Sequence, residues 1–371
     1  MPSTDRPIRV GLDAHVVGRR KTGNETYLIA LATGLAARPD IDLTAYLERD
    51  ATWPRPTNGM AVRRLRTGWP QLRIPLELPV RARLDRVDLL HVQYVAPPIA
   101  GVPVVTAIHD VSFEDEPDLL PALTRMRLQA TVRLAVRSSA VVVTPSHFSR
   151  ARLLHHYDLD PDRVVVTPNG VLPPDGEGAN RSVLLAAMGV EAPFVLQVGN
   201  LQPRKNVPRL IAAIAEARAG GVELELILAG QRDSGAREVD SAIARHQAEG
   251  WVRQVGYVDD ERLAALYAAA SVVAYVSVYE GFGLPVLEAM SRGTPVVAAN
   301  RAAIPEVAGD AALLVDPYDV HAIAEALATA AADDRVRDRL RIAGPARAAA
   351  FSVTSLAEGT MRAYRTALAR R

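Results

Sequence analysis

The stretch Ser277–Asn300, SVYEGFGLPVLEAMSRGTPVVAAN, decides how the rest of the chain is read. It continues an apolar, β-branched run, so Val272–Val278 is expected to form a buried strand. Gly281 and Gly283 permit a tight loop whose backbone amides come close to a ligand. Pro285 suits the first turn of a helix, where its missing N–H costs nothing. Gly293 ends that helix, and Pro295–Ala299 reads as the next strand. A glycine loop that feeds a helix leaves free N–H groups at the positive end of the helix dipole. That arrangement is an anion site, most often for phosphate.

Two carboxylates bracket the loop: Glu280 precedes the glycines and Glu288 follows eight residues later. If every intervening residue were helical, steps of about 100° would set the two well off one face. With Glu280 in the loop, both are expected to reach one cleft at the strand's C-terminal end. Carboxylates repel a phosphate, so their natural partners are ribose and sugar hydroxyls. Either glutamate alone reads equally well as a surface residue or as an acid suited to a helix start. It is the string as a whole, glycines included, that points to a ligand.

Length and composition set the frame. The 371 residues fit two domains of ordinary size, and 49% hydrophobic residues can supply two cores. A formal net charge of +1 does not mark a nucleic-acid binder. Cysteine is absent, which excludes disulfides and thiolate metal sites. The opening MPSTDRPIRVGLD is polar and lacks the apolar core of a signal peptide. No stretch approaches the roughly 18 apolar residues of a membrane span. The expectation is a soluble cytoplasmic protein.

Strands alternate with helical patterns along the whole chain. Ile8–Asp13 is a strand, followed by a polar loop, HVVGRRKTGNET, that holds Gly18, Gly23 and the triplet Arg19, Arg20, Lys21. No GxGxxG is present there, so dinucleotide binding is not indicated. Val102–Ile108 is a buried strand that ends in His109 and Asp110, and open α/β sheets bind ligands at such ends. A histidine there can equally be structural. Seven arginines between Arg63 and Arg86 (Arg63, Arg64, Arg66, Arg73, Arg81, Arg83, Arg86) lie in one stretch, and Arg125, Arg127, Arg133 and Arg137 follow on a helical pattern. Such a segment can lie on anionic lipid or simply be a solvated face. LPPDGEGAN, Leu172–Asn180, is rich in Pro and Gly without periodicity and reads as a linker.

The second half restarts the alternation with Phe194–Val198, the loop GNLQPRKN and the helix Val207–Ala217. Strand-helix alternation means parallel sheets, and two such units imply a ligand cleft. Arg204 and Lys205 sit at a strand's C-terminal end, where a fixed cation pair suits a departing diphosphate. Asp158 and Asp160, an Asp-x-Asp pair, precede Pro161 and read as a turn rather than a metal site.

Together these motifs resemble family 4 retaining glycosyltransferases of the GT-B type. The resemblance rests on YEGFGLPVLEAM with its Glu-x7-Glu spacing, and on GNLQPRKN, TAIHD, VVVTPNGV and IPEVAGDAALLVDP. It covers nearly the whole chain. It implies an α/β fold of two Rossmann-like domains with parallel sheets facing across a cleft: 1–172 for the acceptor, 173–352 for the nucleotide sugar, and a helix, 353–371, that returns to the first domain. It also implies site roles. Arg204 and Lys205 would hold the donor diphosphate, and Glu288 the ribose hydroxyls. Glu280, with Gly281 and the amides of Phe282, Gly283 and Leu284, would hold the transferred sugar and phosphate. His109 would line the reaction centre, and Gly23 would lie near the phosphates. His109, Glu280, Arg204 and Lys205 are thus the expected catalytic set, with no metal and no cofactor beyond the sugar nucleotide. The expected partners are a nucleotide-sugar donor and a glycan, lipid-linked or small-molecule acceptor, with peripheral contact to anionic membrane.

The IPEVAGDAALLVDP segment leans toward the mannosyltransferase branch, and hence toward GDP-mannose as donor. Other readings remain open at this point: a GT-B sugar-nucleotide epimerase, a phosphorylase, or a non-catalytic nucleotide-sugar sensor. The intact set of Glu280, Glu288, Arg204, Lys205 and His109 argues against the sensor.

Overall fold

The computed structural model describes residues 6–18, 22–56, 58–67, 69, 72–172 and 181–370. Arg19, Arg20, Lys21 and most of the Leu172–Asn180 linker lie outside these. The chain divides into two compact units, Met1–Leu172 with Ser352–Arg371, and Pro173–Phe351.

The first unit is built on β1 (Ile8–Asp13), β2 (Ile41–Leu47), β3 (Met60–Arg64), β4 (Leu89–Gln93), β5 (Val104–Ala107), β6 (Val141–Thr144) and β7 (Val164–Val166). They form one sheet in the order β3-β2-β1-β4-β5-β6-β7, and every pairing is parallel. A parallel sheet buries both faces under crossover helices; here these include α1 (Thr22–Ala36), α2 (Leu78–Leu84) and α3 (Ala122–Ser138). The strand order reverses between β1 and β4, so the C-terminal ends of those strands and of β5 form the crevice where such a sheet takes ligands.

One local reading of the sequence needs correction in this unit, and two further features fill in what it left open. Gly23 lies inside the first turn of α1 rather than in a loop. Glu25 draws the preceding loop onto that turn by accepting from the Gly18 amide at 2.7 Å. The arginine-rich stretch, for which no element was read from the sequence, supplies the edge strand β3 and α2. The helix Val353–Ala369 groups with this unit, together with Ser352. The Ser352 hydroxyl accepts from the Ser355 amide at 3.1 Å to cap the helix, and its backbone bridges Val171.

That terminal helix completes the core. Leu356, Met361 and Tyr364 are fully buried against Leu28, Leu31 and Leu35 of α1. Gly34 makes the close approach possible, because a Cβ there would lie 2.4 Å from the Val353 carbonyl oxygen. Tyr364 Oη lies 2.9 Å from His91 Nδ1, and His91 Nε2 lies 3.1 Å from Tyr27 Oη. A buried Tyr–His–Tyr chain thus pins the terminal helix through β4 to α1.

The second unit holds β8 (Val195–Val198), β9 (Leu226–Ala229), β10 (Val252–Gly256), β11 (Val272–Tyr275), β12 (Val296–Ala299) and β13 (Leu313–Val315). Their order is β10-β9-β8-β11-β12-β13, again parallel throughout, and it reverses between β8 and β11. The helices that matter below are α4 (Val207–Ala219), α5 (Asp260–Ala269) and α6 (Leu284–Ser291). Strand β11 stops at Tyr275, short of the expected Val278. The Val278 amide instead donates to the Arg204 carbonyl at 2.8 Å, so the chain leaves the sheet to join the loop after β8.

Burial, with the charge of His109 adding to it, pushes His91 down to about 3. In the unfolded chain the same imidazole charges near its ordinary value of about 6.5. The unfolded state therefore takes up the proton first, and stability falls as pH drops from about 6.5 toward about 3. His91→Gln should lower stability at neutral pH by about 1–3 kcal/mol through lost buried hydrogen bonds, and it should flatten the acid decline. Urea unfolding between about pH 7 and about pH 4 checks this, and an unchanged slope in the variant would remove His91 from the titration.

Candidate active site

The residues singled out in the second half converge at the switch point of the second sheet. The chain leaves β8 through Gly199 at φ 127°. A Cβ at Gly199 would sit 3.1 Å from Lys205 Cε, so the missing side chain is space for the lysine stem. Pro203–Lys205 makes one 3-10 turn, and Asn206 adopts a left-handed conformation (φ 59°) before α4 begins. Asn206 Nδ2 donates to the carbonyls of Val276 (3.1 Å) and Pro317 (2.6 Å). Those bonds, with the Val278–Arg204 bond, lock the loop after β8 to the loop after β11.

The lock places Glu280 between the two cations. Lys205 Nζ donates to Glu280 Oε1 at 2.7 Å and to Tyr275 Oη at 2.7 Å. Arg204 Nη1 lies 2.6 Å from Glu280 Oε2, and Arg204 also reaches the Tyr279 carbonyl and Gln202 Oε1. Lys205 and Glu280 are both 7% exposed. Burial pushes the Glu280 carboxyl up, but the charges of Arg204 and Lys205 and their hydrogen bonds outweigh it and hold the group at about 2. Glu280 is ionised at any working pH.

The glycine loop follows directly. Phe282 is buried, its ring edge-on to Phe351 with centroids 5.8 Å apart. Gly283 caps α6 at φ 113°, and a Cβ there would come within 2.6 Å of Ile304 Cδ1. Both geometry and space demand glycine. A glycine cap brings no side chain to the first-turn amides, and Pro285 brings no N–H. Leu284 opens the helix, and Glu288 stands one turn further on. Glu288 does not share partners with Glu280: its Oε2 accepts from Tyr267 Oη of α5 at 2.7 Å. Burial raises the Glu288 pKa, opposed by the Tyr267 hydrogen bond and the charge of Arg292.

His109 belongs to the first unit, just beyond β5. Its Nε2 donates to Gln93 Oε1 at 2.9 Å, which leaves Nδ1 as an acceptor. The Tyr27 ring stands edge-on to it at 4.5 Å, and Tyr94 (φ 55°) lies at 5.6 Å. Burial pushes His109 down to about 4, with Asp110 partly opposing. It is a neutral imidazole at physiological pH. Gly23 is exposed on α1, and a Cβ there would meet nothing within 4 Å, so nothing in this unit explains a glycine at that position. Asp160 caps a 3-10 turn by accepting from the Asp162 amide and pairs with Arg370, as a turn residue would.

Sequence reasoning did not single out Gln93, Tyr27, Tyr94 or Tyr275. A polar residue closing the apolar strand of VDLLHVQY was a usable signal for Gln93. The tyrosines act through packing directions that linear spacing does not carry.

Residues 187–347 match the family described as Glycosyl transferases group 1, and residues 21–173 match Glycosyltransferase Family 4. The chain is 35% identical over 268 residues to the O-antigen chain mannosyltransferase B of Escherichia coli, covering 70% of each chain. It is 30% identical over 309 residues to a D-inositol 3-phosphate glycosyltransferase of Corynebacterium glutamicum (strain R), covering 76% of this chain and 73% of the relative. Among solved structures, sucrose-phosphate synthase from Thermosynechococcus elongatus superposes with a TM-score of 0.77 at 22% identity, covering 98% of this chain and 100% of that one. Anabaena HepE in complex with UDP-glucose gives 0.74 at 22% identity, covering 96% and 99%. At those identities the structures speak to the fold, which is GT-B. The matched families and the Escherichia coli relative go further: this chain belongs to the group 1, family 4 glycosyltransferases.

Proposed function

We propose that this glycosyltransferase moves a hexose, with mannose as the leading candidate, from a nucleoside-diphosphate sugar to a hydroxyl of a glycan, lipid-linked or small-molecule acceptor, with retention of configuration. The observation that carries the reading is the Arg204–Glu280–Lys205 cluster beside the glycine-capped start of α6. Negative charge develops on the diphosphate as the glycosidic bond breaks. Two fixed cations and the amides of a helix start are the groups that stabilise it. Glu280 then has the transferred sugar's hydroxyls and the developing positive charge of its ring within its reach, and Glu288 is assigned to the ribose. His109, neutral with a free Nδ1 acceptor, is assigned to a sugar hydroxyl. The mannose assignment draws on the Escherichia coli relative, whose name makes it a mannosyltransferase.

The assignment requires neither a metal nor a double displacement, since positive charge is supplied by side chains and the leaving phosphate can take the acceptor proton from the same face. Nucleotide sugars offered with candidate acceptors in excess EDTA should give product whose anomeric configuration, read by NMR, matches the donor. Loss of activity in EDTA with rescue by magnesium or manganese would overturn the metal-free step, and an inverted product would overturn the retaining one.

Arg204→Ala and Lys205→Ala should each lower turnover by about 100-fold, worth about 3 kcal/mol of transition-state charge stabilisation, with smaller effects on donor affinity. Steady-state kinetics on variants shown folded by circular dichroism decide this. Turnover within a few-fold of wild type for both would take the pair out of the mechanism.

The acceptor side includes a contact with anionic lipid. No helix among the described residues is long and apolar enough to cross a membrane, yet the outward face of α2 and the turn before it is apolar. Leu72, Leu76, Val80 and Leu84 recur every four residues and are 46–66% exposed. Arg66, Arg83 and Arg86 are exposed around them. The acids of the stretch are engaged, Glu77 by the amides of Arg66 and Thr67 and Asp85 by Tyr46. Helix α3 carries Leu123, Met126 and Leu134 exposed among four arginines and no acid. Leu78 and Ala82 of α2 share one core cluster with Ala135 of α3, so both helices cover the same face of the sheet. Each arginine near a lipid surface is worth about 1 kcal/mol. The protein should sediment with anionic vesicles at low salt, and Leu76→Asp with Val80→Asp should abolish this. Protein that stays wholly in the supernatant sinks the assignment.

A further inference from the structure

Glu280 poses an electrostatic problem for the site just assigned. Arg204 and Lys205 are the cations a diphosphate needs, and in the protein alone each already holds one oxygen of the same carboxylate, at 2.6 and 2.7 Å. The carboxylate spans the two cations much as two phosphate oxygens would. Lys205 and Glu280 are both 7% exposed, so water screens that pair weakly, while the Arg204 side chain is 26% exposed and opens the cluster to solvent. Two cations and one anion leave a single net positive charge. Tyr275, which also accepts from Lys205 Nζ, is buried and neutral and adds nothing to that sum.

We infer that Glu280 is a built-in competitor for the diphosphate, and that its charge makes the site release the nucleoside diphosphate after transfer. The inference rests on the donor-site reading above. A nucleoside diphosphate carries one more negative charge than the nucleotide sugar it comes from, because the bond to the sugar had masked one phosphate oxygen. Glu280 stays beside the cations and opposes that extra charge. Before transfer, a donor diphosphate that takes over Arg204 and Lys205 frees the Glu280 carboxylate to accept from sugar hydroxyls, so the sugar compensates for the lost ion pairs. After transfer the sugar is gone, the carboxylate returns to its cations, and the product is displaced. The loop geometry permits this exchange without moving the backbone. Arg204 and Lys205 are held by the Val278–Arg204 and Asn206–Val276 bonds, and the glycine loop by Gly283, none of which uses the Glu280 side chain.

The test is a ratio of affinities measured by calorimetry at about pH 8, where the terminal phosphate, with a pKa near 6, is fully ionised. GDP is paired with GDP-mannose, UDP with UDP-glucose, and inorganic pyrophosphate serves as the bare probe. Glu280→Gln and Glu280→Ala remove the charge by different routes, and either suffices if the other does not fold. Glu280→Asp keeps the charge. In the neutral variants the preference for nucleoside diphosphate over nucleotide sugar should rise about tenfold or more, equivalent to about 1.4 kcal/mol, and pyrophosphate should bind more tightly than to wild type. Glu280→Asp should keep the wild-type preference. If wild type binds a nucleoside diphosphate but the neutral variants show an unchanged preference, the inference is overturned and the donor-site reading stands. If neither wild type nor variants bind any nucleotide or pyrophosphate, the donor-site reading falls and takes the inference with it.

Discussion

A lysine held almost out of water must have its charge answered. Around Lys205 that requirement dictates a surprising amount of local structure. The stem needs Gly199 without a side chain beneath it, and the ammonium needs the Tyr275 hydroxyl and the Glu280 carboxylate. An unpaired charge at that depth would cost several kcal/mol. The left-handed Asn206 and the early end of β11 follow from the same demand, since both loops must be stitched together to bring the partners within hydrogen-bond range. The sheet supplies only the platform, two parallel strands whose C-terminal ends lie side by side where the strand order reverses.

The sequence made much of this legible, for a physical reason. Buried parallel strands are largely continuous apolar runs, so β1, β5, β8, β11 and β12 were each legible, while β3 was not. The missing one, β3, is an edge strand whose exposed face is arginine-rich and hides its period. The glycine loop was legible because glycine has few uses other than unusual backbone or close approach, and Gly283 meets both conditions. What could not be read was which side chain meets which. Glu280 and Glu288 stand in one short motif, and the spacing does not say that in the protein alone one holds two cations and the other a tyrosine from a separate helix. Gly23 shows the opposite failure: a glycine in a polar run looked like loop, but Glu25 anchored the turn and made it helix.

His91 and His109 illustrate how environment separates two residues of one type. Both are pushed down by burial, and both are neutral. His91 spends both ring nitrogens on tyrosines and is part of the scaffold. His109 spends one on Gln93 and keeps the other. The tyrosine between them, Tyr27, bonds the first and packs edge-on against the second. The orientation of the second imidazole is thus set in part by the packing of the terminal helix.

That helix has a consequence for how the chain comes to be folded at all. Leu356, Met361 and Tyr364 sit at the centre of the first unit's core, yet they are synthesised after the whole of the second unit. Domains that emerge from a ribosome usually fold as they appear, N-terminal first. Here the first unit's sheet is left with an apolar face open on α1 until Ser352–Arg371 has been made. The second unit, contiguous in sequence, can close on its own while the first still waits. The second unit is therefore fully made before the first can complete its core, and until then the apolar strip on α1 is a surface that chaperones would have reason to hold.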